Sequence, residues 1–136
     1  LVKHYRYPLA DYVHEFPAGL VQPGEAMTDA AVREFHEETG LHLQVIPADD
    51  MYTKPRFTTV GMTDEACGMV YGYASGVPDN RFEESSEDIQ VVLADKKEVR
   101  RILKEENVAM MCAYMLLHFL KSEGDPLGFV EMQEKR

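Results

Sequence analysis

Apolar and polar residues follow two patterns along the chain, and the first is that of short β-strands. Residues 1–7 and 12–16 are rich in aromatic and β-branched side chains, which favour extended backbone. Between them, residues 8–11 have the sequence Pro-Leu-Ala-Asp, which is typical of a turn. The pattern therefore predicts two short strands joined by a turn.

The second pattern is helical and follows a loop punctuated by proline and glycine at residues 17–24. Apolar positions recur at helical spacing across residues 30–38. Thr28 or Asp29 stands where an N-cap is expected, and Gly40 stands where a helix C-cap belongs. We therefore predict a helix that begins near Thr28 and ends at Gly40.

The rest of the chain predicts further strands and then two helices. Extended segments are predicted at 41–46, 51–60, 67–73 and 89–93. Asp95 is placed to cap one helix, and a last helix is predicted near 108–121. Strands mixed with a central helix and terminal helices indicate an α/β or α+β sandwich. We expect one domain over residues 1–124 and a C-terminal tail over 125–136.

Composition and charge limit the classes of function. The chain has 136 residues, of which 45% are hydrophobic and 28% charged, and this suits a single globular core. Asp and Glu number 24 against 14 Lys and Arg, so a nucleic acid would meet long-range repulsion. The longest apolar run, 108–120, is shorter than the roughly 20 residues that cross a bilayer. We expect neither nucleic acid nor membrane as a partner, and a metal cation wherever phosphates bind.

The two cysteines indicate the redox compartment. Cys67 and Cys112 lie in apolar segments and lack CxxC spacing. They therefore resemble small core residues rather than a disulfide or a zinc site. Reduced thiols are typical of a reducing compartment such as the cytoplasm.

Three glutamates share one face of the predicted central helix. Glu34, Glu37 and Glu38 stand at i, i+3 and i+4, so their side chains converge. Carboxylates gathered on a rigid helix are the hard ligands that Mg²⁺ or Mn²⁺ prefers. By themselves, the three carboxylates are explained more simply as a solvated acidic face.

A longer pattern around these glutamates changes that balance. Five residues separate Gly19 from Glu25, and seven more precede the run Arg33-Glu34-Phe35-His36-Glu37-Glu38-Thr39-Gly40-Leu41. The string fills every position of GX5EX7REUXEEXGU, where U is apolar. At ordinary usage of about 5–7% per residue, chance does not account for such a match. The string resembles the Nudix box, and the chain is similar to Nudix hydrolases.

The resemblance implies a fold, a reaction and a metal site. The fold would be a Nudix α/β/α sandwich with a mixed sheet. The reaction would be the hydrolysis of a nucleoside diphosphate linked to another moiety. Glu34, Glu37 and Glu38 would ligate Mg²⁺, with Mn²⁺ as the other cation, and the Ala18 carbonyl would join them.

Other box residues would support that site. Arg33 would orient Glu34, which is also a candidate base for the attacking water. Gly19 would let the loop turn a carbonyl toward an ion. Glu25 is expected to pair with Arg33 rather than bind metal, because Arg offers carboxylates two parallel hydrogen bonds. Gly40 completes the structural set.

Short segments beside the box narrow the substrate. Residues 6–8 and 15–19 before the box, and 61–65 after it, resemble the ADP-ribose and ADP-sugar pyrophosphatase branch. That branch implies Mg²⁺-dependent hydrolysis of ADP-ribose or a related ADP-sugar to AMP and a sugar phosphate by a homodimer. The candidate substrate contacts are Arg6, Glu15, Arg56 and Glu65. The box alone also fits a pyrophosphatase for triphosphates, other NDP-sugars or dinucleotides, and a non-catalytic nucleotide sensor.

Two features depart from that branch. Its members usually carry a further N-terminal segment that helps to bind adenine and to form the dimer, and we expect that this chain lacks that segment. The late acidic loop offers three candidate catalytic residues that would activate water, namely Glu83, Glu84 and Glu87. The spacing does not choose among them, and a flexible charge run explains the loop equally well.

Overall fold

A computed structural model describes residues 1–79 and 88–130. The strands are β1 (Val2–Arg6), β2 (Asp11–Glu15), β3 (His42–Val45), β4 (Arg56–Phe57), β5 (Ala66–Cys67), β6 (Gly72–Ser75) and β7 (Ile89–Val91). The helices are α1 (Met27–Thr39), α2 (Asp50–Thr53), α3 (Lys96–Glu105) and α4 (Met110–Lys121), with 3-10 turns at Tyr7–Leu9 and Gly128–Val130.

The described strands form three small sheets. Strand β1 lies between β2 and β7 and is antiparallel to both. Strands β3 and β6 form an antiparallel pair, as do β4 and β5. A parallel bridge between His14 and Val108 adds the chain before α4 to the free edge of β2. Helix α1 packs against β3 and β7, while α3 and α4 pack on each other.

The predicted β1–β2 hairpin is confirmed. Val2 faces Glu15 and Arg6 faces Asp11 across the pair. The connecting turn ends at Ala10, whose φ of +47° is left-handed and whose N–H donates to the Tyr7 carbonyl at 3.0 Å. The hairpin carries β2 directly into the loop at residues 16–26, which precedes α1.

Helix α1 ends as predicted but begins differently. Gly40 is the C-cap, with φ of +73° and its N–H donating to the His36 carbonyl at 2.7 Å. The N-cap is Ala26, which has no side-chain cap, so the prediction of Thr28 or Asp29 as the cap was wrong. The helical hydrogen bonds already start at Ala26, whose carbonyl accepts the Ala30 N–H. Asp29 instead lies in the first turn, where its charge favours the helix dipole.

Two predicted extended segments differ from the structure. Residues 50–53 form the short helix α2, because the Asp49 carboxylate accepts the Met51 N–H and caps it. The single strand predicted at 67–73 is split into β5 and β6. Between them, the Met69 N–H donates to Thr53 and the Tyr71 carbonyl accepts from Ile46, so this backbone bonds to other segments instead of continuing one ladder.

The last two helices pack on each other, and the residues that follow them pack onto the domain. Asp95 caps α3 as predicted, by accepting the Glu98 N–H, and Val99 of α3 shares a buried cluster with Cys112 and Leu116 of α4. Residues 125–130, which the sequence assigns to a tail, end in a fully buried Val130. In residues 1–79 and 88–130, no helix is long and apolar enough to cross a membrane.

Candidate metal centre

The loop before α1 lies in close contact with Glu34 at Gly19. A Cβ added to Gly19 would lie only 2.0 Å from Glu34 Cδ and 2.3 Å from its Oε1. No side chain fits at position 19 while Glu34 keeps this conformation, so glycine is required by close approach rather than by a positive φ. The contact places the Gly19 backbone against one of the predicted metal ligands.

Arg33 gathers the acidic residues of the loop and helix. Its Nη1 donates to Glu34 Oε1 at 2.8 Å and lies 3.5 Å from Glu37 Oε2. Its Nε and Nη2 donate to the two oxygens of Glu25 at 3.0 and 2.9 Å. The predicted pairing of Glu25 with Arg33 is therefore present in bidentate form.

This ion pair changes the protonation of both partners. Hydrogen bonds from Arg33, and then from the Gln22 N–H, lower the pKa of Glu25 to about 2. The same contacts with Glu25 and Glu34 raise the pKa of Arg33. Glu25 is therefore held as a carboxylate by the arginine that also contacts Glu34.

Glu38 lies deeper than the other glutamates of the box. Its residue exposure is 6%, and its Oε2 accepts the Ala18 N–H at 3.2 Å. Buried carboxylates are costly unless they are hydrogen-bonded or bind a cation. The contact brings Glu38 next to the residue whose carbonyl the sequence predicts as a ligand.

The residue types and their positions fit a hard divalent cation. Three carboxylates lie on one face of α1, and the loop backbone at 18–19 contacts two of them, Glu34 and Glu38. Oxygen donors of this kind suit Mg²⁺ and Mn²⁺. Within residues 1–79 and 88–130, no three acidic, histidine or cysteine side chains already converge as a metal cluster. Glu34 and Glu37 face Arg33 instead, while Glu38 faces Ala18.

The predicted substrate residues lie in two places. Arg6 and Glu15, on neighbouring strands, form a bidentate pair at 2.9 and 3.0 Å, and Glu15 Oε2 also lies 3.5 Å from His4 Nδ1. Arg56 and Glu65 belong to the segment around β4 and β5. Arg56 donates to the Met51 carbonyl, and Glu65 accepts from Thr58.

These positions define which residues the fold brings together. Glu15 lies three residues before Ala18 and continues directly into the loop that contacts Glu38. In the described part of the chain, no hydrogen bond or ion pair links Arg56 or Glu65 to the box. Arg6 and Glu15 are thus linked to the box by a short stretch of backbone, whereas Arg56 and Glu65 make no contact with it in the described residues.

Comparison with known protein families identifies the domain. The NUDIX domain model matches residues 1–117. The chain belongs to the NUDIX domain family. The resemblance found in the sequence is therefore confirmed, together with the α/β fold that it implied.

Individual proteins are also similar to this chain. The chain is 37% identical over 101 residues to "Putative nudix hydrolase 2" of Caenorhabditis elegans. The aligned residues make up 71% of this chain and 44% of that relative. It is 52% identical over 40 residues to "ADP-sugar pyrophosphatase" of Mus musculus, or 29% of this chain and 18% of the relative. It is 36% identical over 63 residues to "ADP-ribose pyrophosphatase" of Saccharomyces cerevisiae, and those residues make up 46% of this chain and 27% of that relative. The chain thus matches less than half the length of each relative.

Some parts of this Nudix site were not predicted. Arg33 also donates to the Leu20 carbonyl at 3.0 Å, and the Asp79 N–H donates to the Thr39 carbonyl at the end of α1. Every residue has a backbone carbonyl, so the sequence does not show which carbonyls accept these hydrogen bonds. The candidate residues Glu83, Glu84 and Glu87 lie outside the described residues.

Proposed function

We propose that this chain hydrolyses the pyrophosphate bond of ADP-ribose or a related ADP-sugar, with Mg²⁺, to AMP and a sugar phosphate. The observation that carries the proposal is the arrangement of two box glutamates, Glu34 and Glu38, against the loop at Ala18 and Gly19. The relatives named for ADP-sugar and ADP-ribose hydrolysis support the choice of substrate.

The side chains have separate roles in this proposal. Glu25 holds Arg33, and Arg33 holds Glu34 against Gly19. Glu34, Glu37, Glu38 and the Ala18 carbonyl are the proposed metal ligands. Arg33 is also held by Glu25 and by the Leu20 carbonyl, so its position would not depend on Glu34 and Glu37 alone when an ion binds.

The cation and a carboxylate share the chemistry. Bound Mg²⁺ would neutralise charge on the diphosphate oxygens and lower the pKa of an attacking water. A carboxylate must accept the proton of that water. Glu34 is one candidate base, and Glu83, Glu84 and Glu87 remain the others. Arg6 and Glu15, which precede the box on β1 and β2, are proposed substrate contacts, as are Arg56 and Glu65.

The first experiment is a substrate screen near pH 8 with and without Mg²⁺. Products would be separated by chromatography for ADP-ribose, other NDP-sugars, dinucleotides and triphosphates. Metal-dependent AMP from ADP-ribose is the expected result. Preferred hydrolysis of another substrate would overturn the ADP-sugar assignment, and no turnover of any substrate would favour a nucleotide sensor.

A charge-neutral variant tests the metal ligands directly. Glu38→Gln keeps the shape and an oxygen for the Ala18 N–H, but it removes the charge. We expect turnover to fall at least about 100-fold, because a metal ligand supports several kcal/mol of transition-state stabilisation. Glu105→Gln, at a solvent-exposed position of α3, is the matched control. Near-normal activity of folded Glu38→Gln would contradict the assignment of Glu38.

The resemblance also leads us to propose a cytoplasmic homodimer. Light scattering at micromolar concentration would measure its mass. A mass equal to one chain would count against the dimer.

A further inference from the structure

The last described residues, 125–130, contact the short helix α2. These residues are here called the C-terminal turn. The Val130 carbonyl accepts the Asp49 N–H at 3.0 Å, and Val130 is fully buried. Asp49 caps α2, because its carboxylate accepts the Met51 N–H at 3.0 Å. The C-terminal turn is therefore hydrogen-bonded to the residue at which α2 begins.

The aromatic ring of Phe129 makes a second contact with α2. Its centroid lies 5.7 Å from that of Tyr52, edge to face, and 5.3 Å from that of His118 on α4, stacked. The Tyr71 ring also meets Phe129 edge to face, at 6.3 Å, and its hydroxyl donates to the Tyr52 carbonyl at 3.2 Å. Tyr52 of α2 is thus in contact with both the C-terminal turn and the chain before β6.

The length of α2 makes these contacts necessary. The helix has four residues, and helices shorter than about 12–15 residues are marginal in water on their own. Its conformation must therefore come from the segments that contact it. One is the chain between β5 and β6, where the Met69 N–H donates to the Thr53 carbonyl at 3.2 Å. Another is the C-terminal turn, with its buried Val130 and the ring of Phe129.

Helix α2 in turn holds Arg56. The Arg56 Nη2 donates to the Met51 carbonyl at 3.0 Å. Arg56 is exposed, and an exposed arginine samples many rotamers unless a fixed partner selects one. The Met51 carbonyl selects a rotamer only while α2 itself is fixed. The orientation of Arg56 therefore depends on the contacts that α2 makes.

We propose that the C-terminal turn positions Arg56 for the substrate, and that it acts through α2. Phe129 and Val130 are positioning residues in this arrangement, because they contact α2 and its cap rather than the substrate. A guanidinium already held in one orientation loses less entropy when it binds. The inference rests on the proposed function for the role of Arg56 as a substrate contact. It assigns part of the substrate affinity to residues outside the box.

The first test is amide hydrogen exchange in the full chain, measured by mass spectrometry. Phe129→Ala removes the ring, and peptides within residues 49–57 should exchange at least about fivefold faster, because α2 then opens more often. Peptides from α1 should stay within about twofold of the unaltered chain. Tyr114→Ala removes an aromatic ring at a position of α4 that is 64% exposed, and this matched control should leave exchange at 49–57 unchanged. If Phe129→Ala does not fold, Phe129→Leu gives the same comparison with an apolar side chain retained.

Kinetics with ADP-ribose test the effect on Arg56. Phe129→Ala should raise KM at least about fivefold and leave kcat within about twofold, because it loosens a binding contact and not the box. Arg56→Gln should raise KM as well. In the double variant, Phe129→Ala should add less than about twofold to the KM of Arg56→Gln, because the two changes remove the same interaction. The conservative variant Phe129→Tyr keeps the ring and should restore KM.

Three outcomes would overturn the inference. They are unchanged exchange at residues 49–57 in Phe129→Ala, an unchanged KM in either single variant, and KM increases that multiply in the double variant. A different outcome separates the inference from the proposed function. If exchange at 49–57 depends on Phe129 but the unaltered chain does not hydrolyse ADP-ribose, the coupling of the C-terminal turn to α2 stands and the proposed reaction fails.

Discussion

Gly19 determines where Glu34 can lie, although it has no side chain of its own. In Gly19→Ala, the new Cβ would meet Glu34 Cδ at 2.0 Å, so either the loop or the carboxylate must move. Displacing a proposed metal ligand by about 1 Å is expected to lower turnover at least tenfold. The measurement is kcat for ADP-ribose across a Mg²⁺ titration.

A second glycine provides the control for this prediction. A Cβ at Gly128 would make only an ordinary contact, 3.8 Å from Asp125 Cβ. Gly128→Ala should therefore keep kcat within about twofold. If folded Gly19→Ala retains the same activity as Gly128→Ala, the position of Glu34 against the loop is not important for the reaction.

Single residues were predictable where charge and spacing suffice. Glu25 and Arg33 lie eight residues apart across a loop and a helix, yet opposite charge and the geometry of Arg pointed to their pairing, which the structure contains. The contact of Glu38 with the Ala18 N–H was not predictable in the same way. It depends on how the backbone of the loop folds, and a backbone N–H is the same at every non-proline position.

At the scale of elements, the end of α1 depends on Gly40 for two reasons. Its φ is +73°, and a Cβ would lie 2.4 Å from the Asp79 carbonyl oxygen. Gly40→Ala should therefore lower the free energy of unfolding by at least about 2 kcal/mol, from backbone strain and the clash together. Gly124 has φ of +71° but no atom within 4 Å of the added Cβ. Gly124→Ala should cost about 1 kcal/mol, and equal losses in urea unfolding would contradict the clash.

The join between β2 and the chain before α4 makes stability depend on pH. His14 is buried, and burial lowers its pKa below the usual 6.5, opposed by Glu106 and assisted by Lys3. The unfolded chain therefore binds this proton at a higher pH than the folded chain does. Stability from His14 is present above pH 6.5 and declines as the pH falls toward the folded pKa, by at most about 1.4 kcal/mol per unit.

The variant His14→Gln isolates that contribution. Its free energy of unfolding, measured in urea between about pH 7.5 and pH 5.5, should fall less steeply than that of the unaltered chain. An identical slope for the two proteins would show that His14 does not titrate differently on folding.

Elements were predictable where one local interaction decides the boundary. Asp95 caps α3 as expected because its side chain reaches an N–H three residues ahead. The split of residues 67–73 into two strands was not predictable. It follows from bonds that Met69 and Tyr71 make to Thr53 and Ile46, which are distant in sequence, so local propensity favoured one continuous strand.

At the scale of the whole molecule, the last described residues pack against α2 and α4. The Val130 carbonyl accepts the Asp49 N–H, and Phe129 stacks on His118 and meets Tyr52 edge to face. The polar sequence around Gly124 indicated a tail. No local sequence pattern shows that the side chains after it pack against residues that are distant in the chain. The packing of residues 125–130 is set by α2 and α4, which the sequence places far away.

This packing predicts that residues 125–130 contribute to stability. Val130 is fully buried, so Val130→Ala should lower the free energy of unfolding by about 1–3 kcal/mol through lost burial and a small cavity. Val77→Ala removes the same atoms at a position that is 80% exposed and should change stability by less than about 0.5 kcal/mol. Both would be measured by urea unfolding with the full chain. If the two variants are equally stable, residues 125–130 do not pack on the domain in solution, and the domain ends near Gly124.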